Sequence, residues 1–271
     1  MAELTACLVE SLWQIFSTLP FSVILTAIFF SDKSALQLPL PIHQIDDETF
    51  ENFYTENSRL LLNSLTQNFS DVRQPFFYIW GGKSCGKSHL LKAVNNHYLL
   101  NERSASYIPL AKSNYFSPSV LDNADQLDVI CLDDVQTIVG NEEWELAIFD
   151  LFNQIREQQG LFSQGKKTLL LVTADRPPNQ LAIGLPDLRS RLTWGEVYKL
   201  DDLNDEQKRD ILQQNAHRKG LELPDEVVNF LLKRVERDLH LLLVKLELLD
   251  RASLQAQRKL TIPFVKEILG L

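Results

Sequence analysis

The chain has 271 residues, 45% hydrophobic and 23% charged, which excludes wholesale disorder and leaves room for one α/β domain with a smaller appendage. Its 27 basic and 36 acidic side chains give a formal net charge of -9. A domain that grips nucleic acid over a wide face carries a basic excess, so strong direct DNA binding is not expected. Cys7, Cys85 and Cys131 are odd in number and form no C-x-x-C spacing. That argues against a zinc site or a disulfide framework and points to a reducing, cytoplasmic compartment.

Residues 1–35 form an apolar N-terminal segment. From Ser11 to Phe30 there is no charge, over about the length of a membrane span. The first charges are Glu3 and Glu10, no Lys or Arg precedes Lys33, and Pro20 breaks the run. A secretory signal needs a basic start, so that reading fails. Three others stand: a membrane anchor, an apolar arm, or translated upstream sequence outside the working protein. The third is the expectation, with the membrane not an expected partner. Residues 36–45, containing Pro39 and Pro41, read as an extended peptide and linker, because a residue before proline is pushed out of the helical region.

A helical pattern begins near Asp46 and Asp47 and runs through Leu60, Leu61, Leu62 and Leu65. Strands and helices then alternate. Pro75 to Trp80, Ala105 to Leu110, Leu127 to Leu132, Thr168 to Thr173 and Val197 to Leu200 read as strands, mostly apolar without alternation. Ser88 to Leu100 and Glu142 to Gln159 read as helices. The second carries Trp144, Ala147, Ile148, Leu151, Phe152 and Ile155 along one stripe. Unbroken apolar strands separated by helices predict a parallel sheet sandwiched by helices over residues 46–200. After Leu200 only helical patterns follow: Asn204 to His217, Pro224 to Arg234, Leu239 to Leu254 and Ile262 to Leu269. Residues 201–271 are therefore expected to form a small all-α domain behind an α/β core.

The chemistry starts at Gly81 to Ser88, which reads Gly-Gly-Lys-Ser-Cys-Gly-Lys-Ser between a strand and a helix. That context makes G-x-x-x-x-G-K-S a specific phosphate-loop signature. The backbone of Gly81, Gly82, Lys83, Ser84, Cys85 and Gly86 would turn its N–H groups toward phosphate oxygens at a helix N-terminus. Lys87 would reach the β- and γ-phosphates, and Ser88 would ligate Mg²⁺. The strand ending Leu132-Asp133-Asp134 delivers two carboxylates where ligands of open α/β sheets sit. Asp133 would hold Mg²⁺, usually through water, and Asp134 would orient an attacking water. Thr173 and Asp175 end another strand beside the γ-phosphate position, although Asp175 equally suits the turn before Pro177 and Pro178. Arg189 and Arg191 sit near a helix end. Such arginines are mostly solvated, but an assembling ATPase needs one to offer to a neighbour's γ-phosphate.

Gly-Lys-Ser-His-Leu-Leu at 86–91, Leu-Asp-Asp-Val-Gln at 132–136, Thr-Ala-Asp-Arg-Pro-Pro at 173–178 and Ser-Arg-Leu-Thr-Trp-Gly at 190–195 resemble the AAA+ domain of the bacterial replication initiator DnaA. The resemblance runs from about Asp46 to Leu271 and makes the helical region a lid. Gln37-Leu38-Pro39-Leu40-Pro41-Ile42 resembles a peptide for the groove of the replicative sliding clamp. It is extended, proline-stiffened and apolar at alternate positions, so little ordering entropy is lost on binding. The sequence ends after the lid pattern, where a full initiator would carry a helix-turn-helix DNA-binding domain, so none is expected here. Together these features resemble the regulatory inactivators within the DnaA family, whose clamp motif lies at the extreme N-terminus.

The resemblance implies a clamp-bound protein that docks on ATP-bound DnaA and offers Arg191 as an arginine finger, leaving DnaA-ADP. Its own ADP or ATP, held by the phosphate loop with Mg²⁺, Asp175 and His240, would act as a conformational ligand. Its own ATPase would be weak or absent. His240 aligns where initiators carry an arginine that senses the γ-phosphate. Histidine is shorter and lacks a permanent charge, which implies a weaker grip on that phosphate; a plain surface histidine on a lid helix is the equal alternative. Two further readings remain: an autonomous AAA+ ATPase such as a helicase loader, and a membrane-anchored AAA+ protein.

Overall fold

A computed structural model describes residues 48–50, 53, 58–70, 74–161, 167–235 and 238–271. The apolar run from Ser11 to Phe30 and the Gln37–Ile42 peptide lie outside them. Strands β1 (Phe76–Gly81), β2 (Ala105–Pro109), β3 (Val129–Asp133), β4 (Leu169–Ala174) and β5 (Glu196–Leu200) pair in the order β2-β3-β4-β1-β5. Every pairing is parallel, as the unbroken apolar runs predict.

Successive residues of each central strand feed opposite cores. Phe77, Ile79, Val129, Cys131, Leu169 and Leu171 pack with helix α1 (Arg59–Ser70) and helix α2 (Lys87–Leu100) through Leu61, Leu65, Leu90, Leu91, Val94 and Tyr98. Phe76, Tyr78, Ile130, Leu132, Leu170 and Val172 face α3 (Glu142–Leu161) and the short α4 (Pro186–Arg191). The α3 stripe supplies buried Trp144, Ile148, Leu151, Phe152 and Ile155, with Ala147 packed beside them. Burying whole apolar side chains on both sheet faces, at about 25 cal/mol per Å², is what fixes the strand ends in space.

After β5 come α5 (Asp205–Arg218), α6 (Asp225–Arg234), α7 (Leu239–Ala256) and α8 (Ile262–Leu269) around a third core that includes Leu212, Leu231, Leu246 and Phe264. Asn204 starts this region with a reciprocal cap: its side chain accepts from Gln207 N at 2.8 Å, while Gln207 Oε1 accepts from Asn204 N at 2.9 Å. Residues from Ile45 to Leu271 form one compact unit. Among the described residues, no helix is long and apolar enough to cross a membrane.

Two local expectations are corrected. The helical pattern from Asp46 does not run on through Leu65: α1 starts at Arg59, and Phe50 lies in a 3-10 turn closed by Phe53 N donating to Phe50 O at 3.2 Å. The turn places buried Phe53 against Gly86, a tertiary use that the helical spacing hides. The strand at Ala105 stops at Pro109, after which the chain makes 3-10 turns from Leu110 to Tyr115.

Candidate functional site

The carboxyl ends of β1, β3 and β4 lie at one edge of the sheet, and the predicted chemistry gathers there. Gly81 closes β1 so near β5 that a Cβ would stand 2.4 Å from Leu200 O. The loop then turns through Ser84 at φ 61° and Gly86 at φ 101°, left-handed conformations that bring the chain into α2. Lys87 is buried, and its Nζ donates to Gly81 O at 3.0 Å and Gly82 O at 2.6 Å. The ammonium thus sits inside the loop that it would share with an anion.

Asp133 is buried at 3% exposure, so its carboxylate needs donors. Thr173 donates its hydroxyl to Oδ1 at 2.5 Å, and Tyr107 donates its phenol to Oδ2 at 2.7 Å. Burial, then the Asp133 bond, push the Tyr107 phenol well above its ordinary value, so it acts as a neutral donor. Asp134 adopts φ 60° and ψ 54°, a conformation that costs a non-glycine residue on the order of 1–3 kcal/mol unless its surroundings hold it. They do: Asp134 N donates to Thr173 Oγ1 at 2.9 Å, and Gln136 Nε2 donates to Asp134 Oδ1 at 2.9 Å. Gln136 Oε1 in turn accepts from Asp175 N at 3.2 Å. Asp175 itself pairs with Arg176 at 2.8 and 2.7 Å, a bond that holds its carboxyl below the usual range.

The helical region closes over the phosphate loop through one acid. Asp238 accepts from Ser84 Oγ at 2.6 Å and pairs with Lys83 Nζ at 3.3 Å, while capping α7 by accepting from His240 N at 2.9 Å. Between loop and lid lies a cleft of about 290 Å³ lined by Phe53, Gly86, His89, Leu203, Ile211 and His240 among others. Its lid side mixes apolar Leu239, Leu243 and Val244 with polar Asn215, Lys219 and Glu247, and its other side is bounded by the phosphate loop, an arrangement that suits a nucleoside. Neither Asp175 nor Arg191 is part of that lining.

Arg191 ends α4. Its guanidinium stacks on Trp194 at 3.6 Å and approaches Phe149 at 5.4 Å. Its buried Nε has no hydrogen-bond partner. Arg156 approaches the same indole at 4.5 Å. Tyr107, Gln136 and Asp238 escape sequence reasoning. A tyrosine in a strand reads as core, and an acid before a lid helix reads as a cap; only the folded chain shows what else they touch.

Residues 45–199 match the model of the bacterial DnaA ATPase domain. The chain belongs to the DnaA family of AAA+ proteins. Residues 205–269 match a second model, the lid domain of Hda, so the DnaA-type core carries an Hda-type lid. An uncharacterized protein of Haemophilus influenzae (strain Rd) is 60% identical over 235 residues, 87% of this chain and 99% of the relative. Domain III of the Thermotoga maritima initiator DnaA superposes with a TM-score of 0.66 at 26% identity, covering 83% of this chain and 96% of that one. AMPPCP-bound DnaA from Aquifex aeolicus shares the fold, with a TM-score of 0.59 at 23% identity over 75% of this chain and 65% of its own.

Proposed function

We propose that this DnaA-related replication regulator inactivates the initiator: tethered to the DNA-loaded sliding clamp through Gln37–Ile42, it lends Arg191 to the nucleotide site of ATP-bound DnaA. The observation that carries this reading is the state of Arg191. Among the described residues its guanidinium has no carboxylate partner and its Nε no acceptor, and it is held on an aromatic ring away from the chain's own cleft. A half-buried arginine left in this way can donate from its terminal nitrogens to a phosphate oxygen from outside.

An adenine nucleotide, ADP or ATP, is the ligand proposed for the chain's own cleft, with AMPPCP on the Aquifex aeolicus initiator as support. Gly81 to Ser88 would surround its phosphates. Magnesium, if carried in with the nucleotide, would meet the Ser88 hydroxyl and the Asp133 carboxylate, both oxygen donors that suit it. His240, on the first turn of α7, lines the same cleft and would touch the ligand from the lid. Asp134 is engaged by Gln136, which supports a structural role for the bound nucleotide over rapid turnover. A membrane-bound role and a helicase-loading role have no feature of the described residues in their favour.

The test is hydrolysis of DnaA-bound ATP in the presence of DNA-loaded clamp. Arg191→Ala is expected to lose stimulation by roughly 10³-fold or more, the scale on which arginine fingers act. A Gln37→Ala/Leu40→Ala double variant should lose its dependence on the clamp. Stimulation equal to wild type in both variants would refute the proposal.

A further inference from the structure

Several arginines of this chain pair with a carboxylate, Arg103, Arg176, Arg251 and Arg258 among them. Two arginines without one meet at a single ring. Arg191 at the end of α4 and Arg156 on α3 lie 3.6 and 4.5 Å from the centroid of the Trp194 indole, so their guanidinium carbons are within about 8 Å of each other. That is no more than a Debye length in physiological salt, about 8 Å, so both charges act on one ligand. Asp187 stands one turn before Arg191, a spacing that favours an ion pair, yet the guanidinium takes the indole face and forms none. Among the described residues Arg156 has no carboxylate partner either, and its side chain is exposed. The indole attracts each cation without neutralising it. A doubly cationic patch is left, with donors to spare. One carboxylate would compensate one of the two charges, whereas neighbouring phosphate groups carry enough charge and enough acceptor oxygens for both.

Resting on the arginine-finger reading above, we infer that Arg156 is a second phosphate-binding residue, which forms with Arg191 a two-guanidinium site for the triphosphate of the partner's nucleotide. The two arginines differ in how they are held. Arg191 is stacked closely and its Nε is buried, which suits it to the oxygens on which charge develops during hydrolysis. Arg156 is exposed and placed by α3 rather than by the indole, so it meets the triphosphate first and holds it before reaction. A diphosphate is shorter by one group and carries less charge. Arg156 therefore gives this chain a preference for the ATP-bound over the ADP-bound initiator, and loses its ligand once the terminal phosphate leaves.

The test is surface plasmon resonance of the full chain, in the presence of DNA-loaded clamp, against DnaA carrying AMPPCP or ADP. Wild type is expected to bind the AMPPCP form more tightly. Arg156→Ala should weaken binding to that form about tenfold, the scale of a charge-assisted hydrogen bond, and leave the ADP form nearly unchanged. Arg156→Lys should recover part of the loss, since an ammonium keeps the charge but lacks the planar fork. Both substitutions fall on an exposed side chain, so the fold is kept. Equal weakening of both forms would overturn the inference and place Arg156 on a carboxylate of the partner. Unchanged binding of both forms would overturn it as well. The reading on which it rests fails separately: Arg191→Ala that stimulates hydrolysis as well as wild type removes the arginine finger, whatever Arg156→Ala does.

Discussion

Arg191 and Trp194 show how one residue can prepare another. A guanidinium over an indole face gains about 0.5–2 kcal/mol, more as water is excluded, and the 3.6 Å stack costs no hydrogen-bond donor. The donors remain free for a phosphate while the planar group is kept from wandering. Trp194 is therefore a positioning residue in this account. Trp194→Ala should lower the maximal stimulated rate of DnaA-bound ATP hydrolysis about tenfold, with the half-saturating concentration nearly unchanged, and Trp194→Phe should restore most of it. Equal loss of affinity and rate would place Trp194 in docking instead. The sequence singles out Arg191 through its neighbours in Ser-Arg-Leu-Thr-Trp-Gly. It does not show the second aromatic beside that guanidinium, because Phe149 comes from a helix forty-two residues earlier in the chain.

At the scale of elements, the strands were legible because burial on both faces demands unbroken apolar runs, and β1, β3 and β4 show them. The phosphate loop was legible because its glycines answer a backbone need that a Cβ would violate. The region before α1 was not, since Phe50 and Phe53 serve tertiary packing while spaced as a helix would space them. The join between lid and loop was equally hidden: Asp238 and Ser84 stand 154 residues apart. The Ser84 bond, with Lys83 behind it, holds the Asp238 carboxyl below its ordinary value. A depressed value means that the contact contributes fully above the usual carboxylate range and is lost as pH falls through the lowered value. Hydrogen exchange should accordingly show residues 82–88 and the first turn of α7 protected at neutral pH and opening only in acid. Asp238→Asn should open both at neutral pH. Protection in that variant equal to wild type would show that the ion pair and hydrogen bond do not hold the lid.

For the whole molecule, a DnaA-type core with an Hda-type lid combines the cleft proposed for a nucleotide, a buried carboxylate held by Tyr107 and Thr173, and an arginine outside that cleft with no carboxylate partner among the described residues. Under the proposed function the labour is divided between two proteins: this chain would hold its nucleotide, and its partner would hydrolyse one. The direct measurement is conversion of labelled ATP to ADP in a mixture of this chain, DNA-loaded clamp and a DnaA variant that binds ATP but cannot hydrolyse it. The account predicts no conversion above background with that variant and full conversion with wild-type DnaA, even when this chain carries Asp134→Ala. Clamp-dependent conversion that persists with hydrolysis-dead DnaA, and disappears with Asp134→Ala, would place the reaction in this chain's own site and contradict the account.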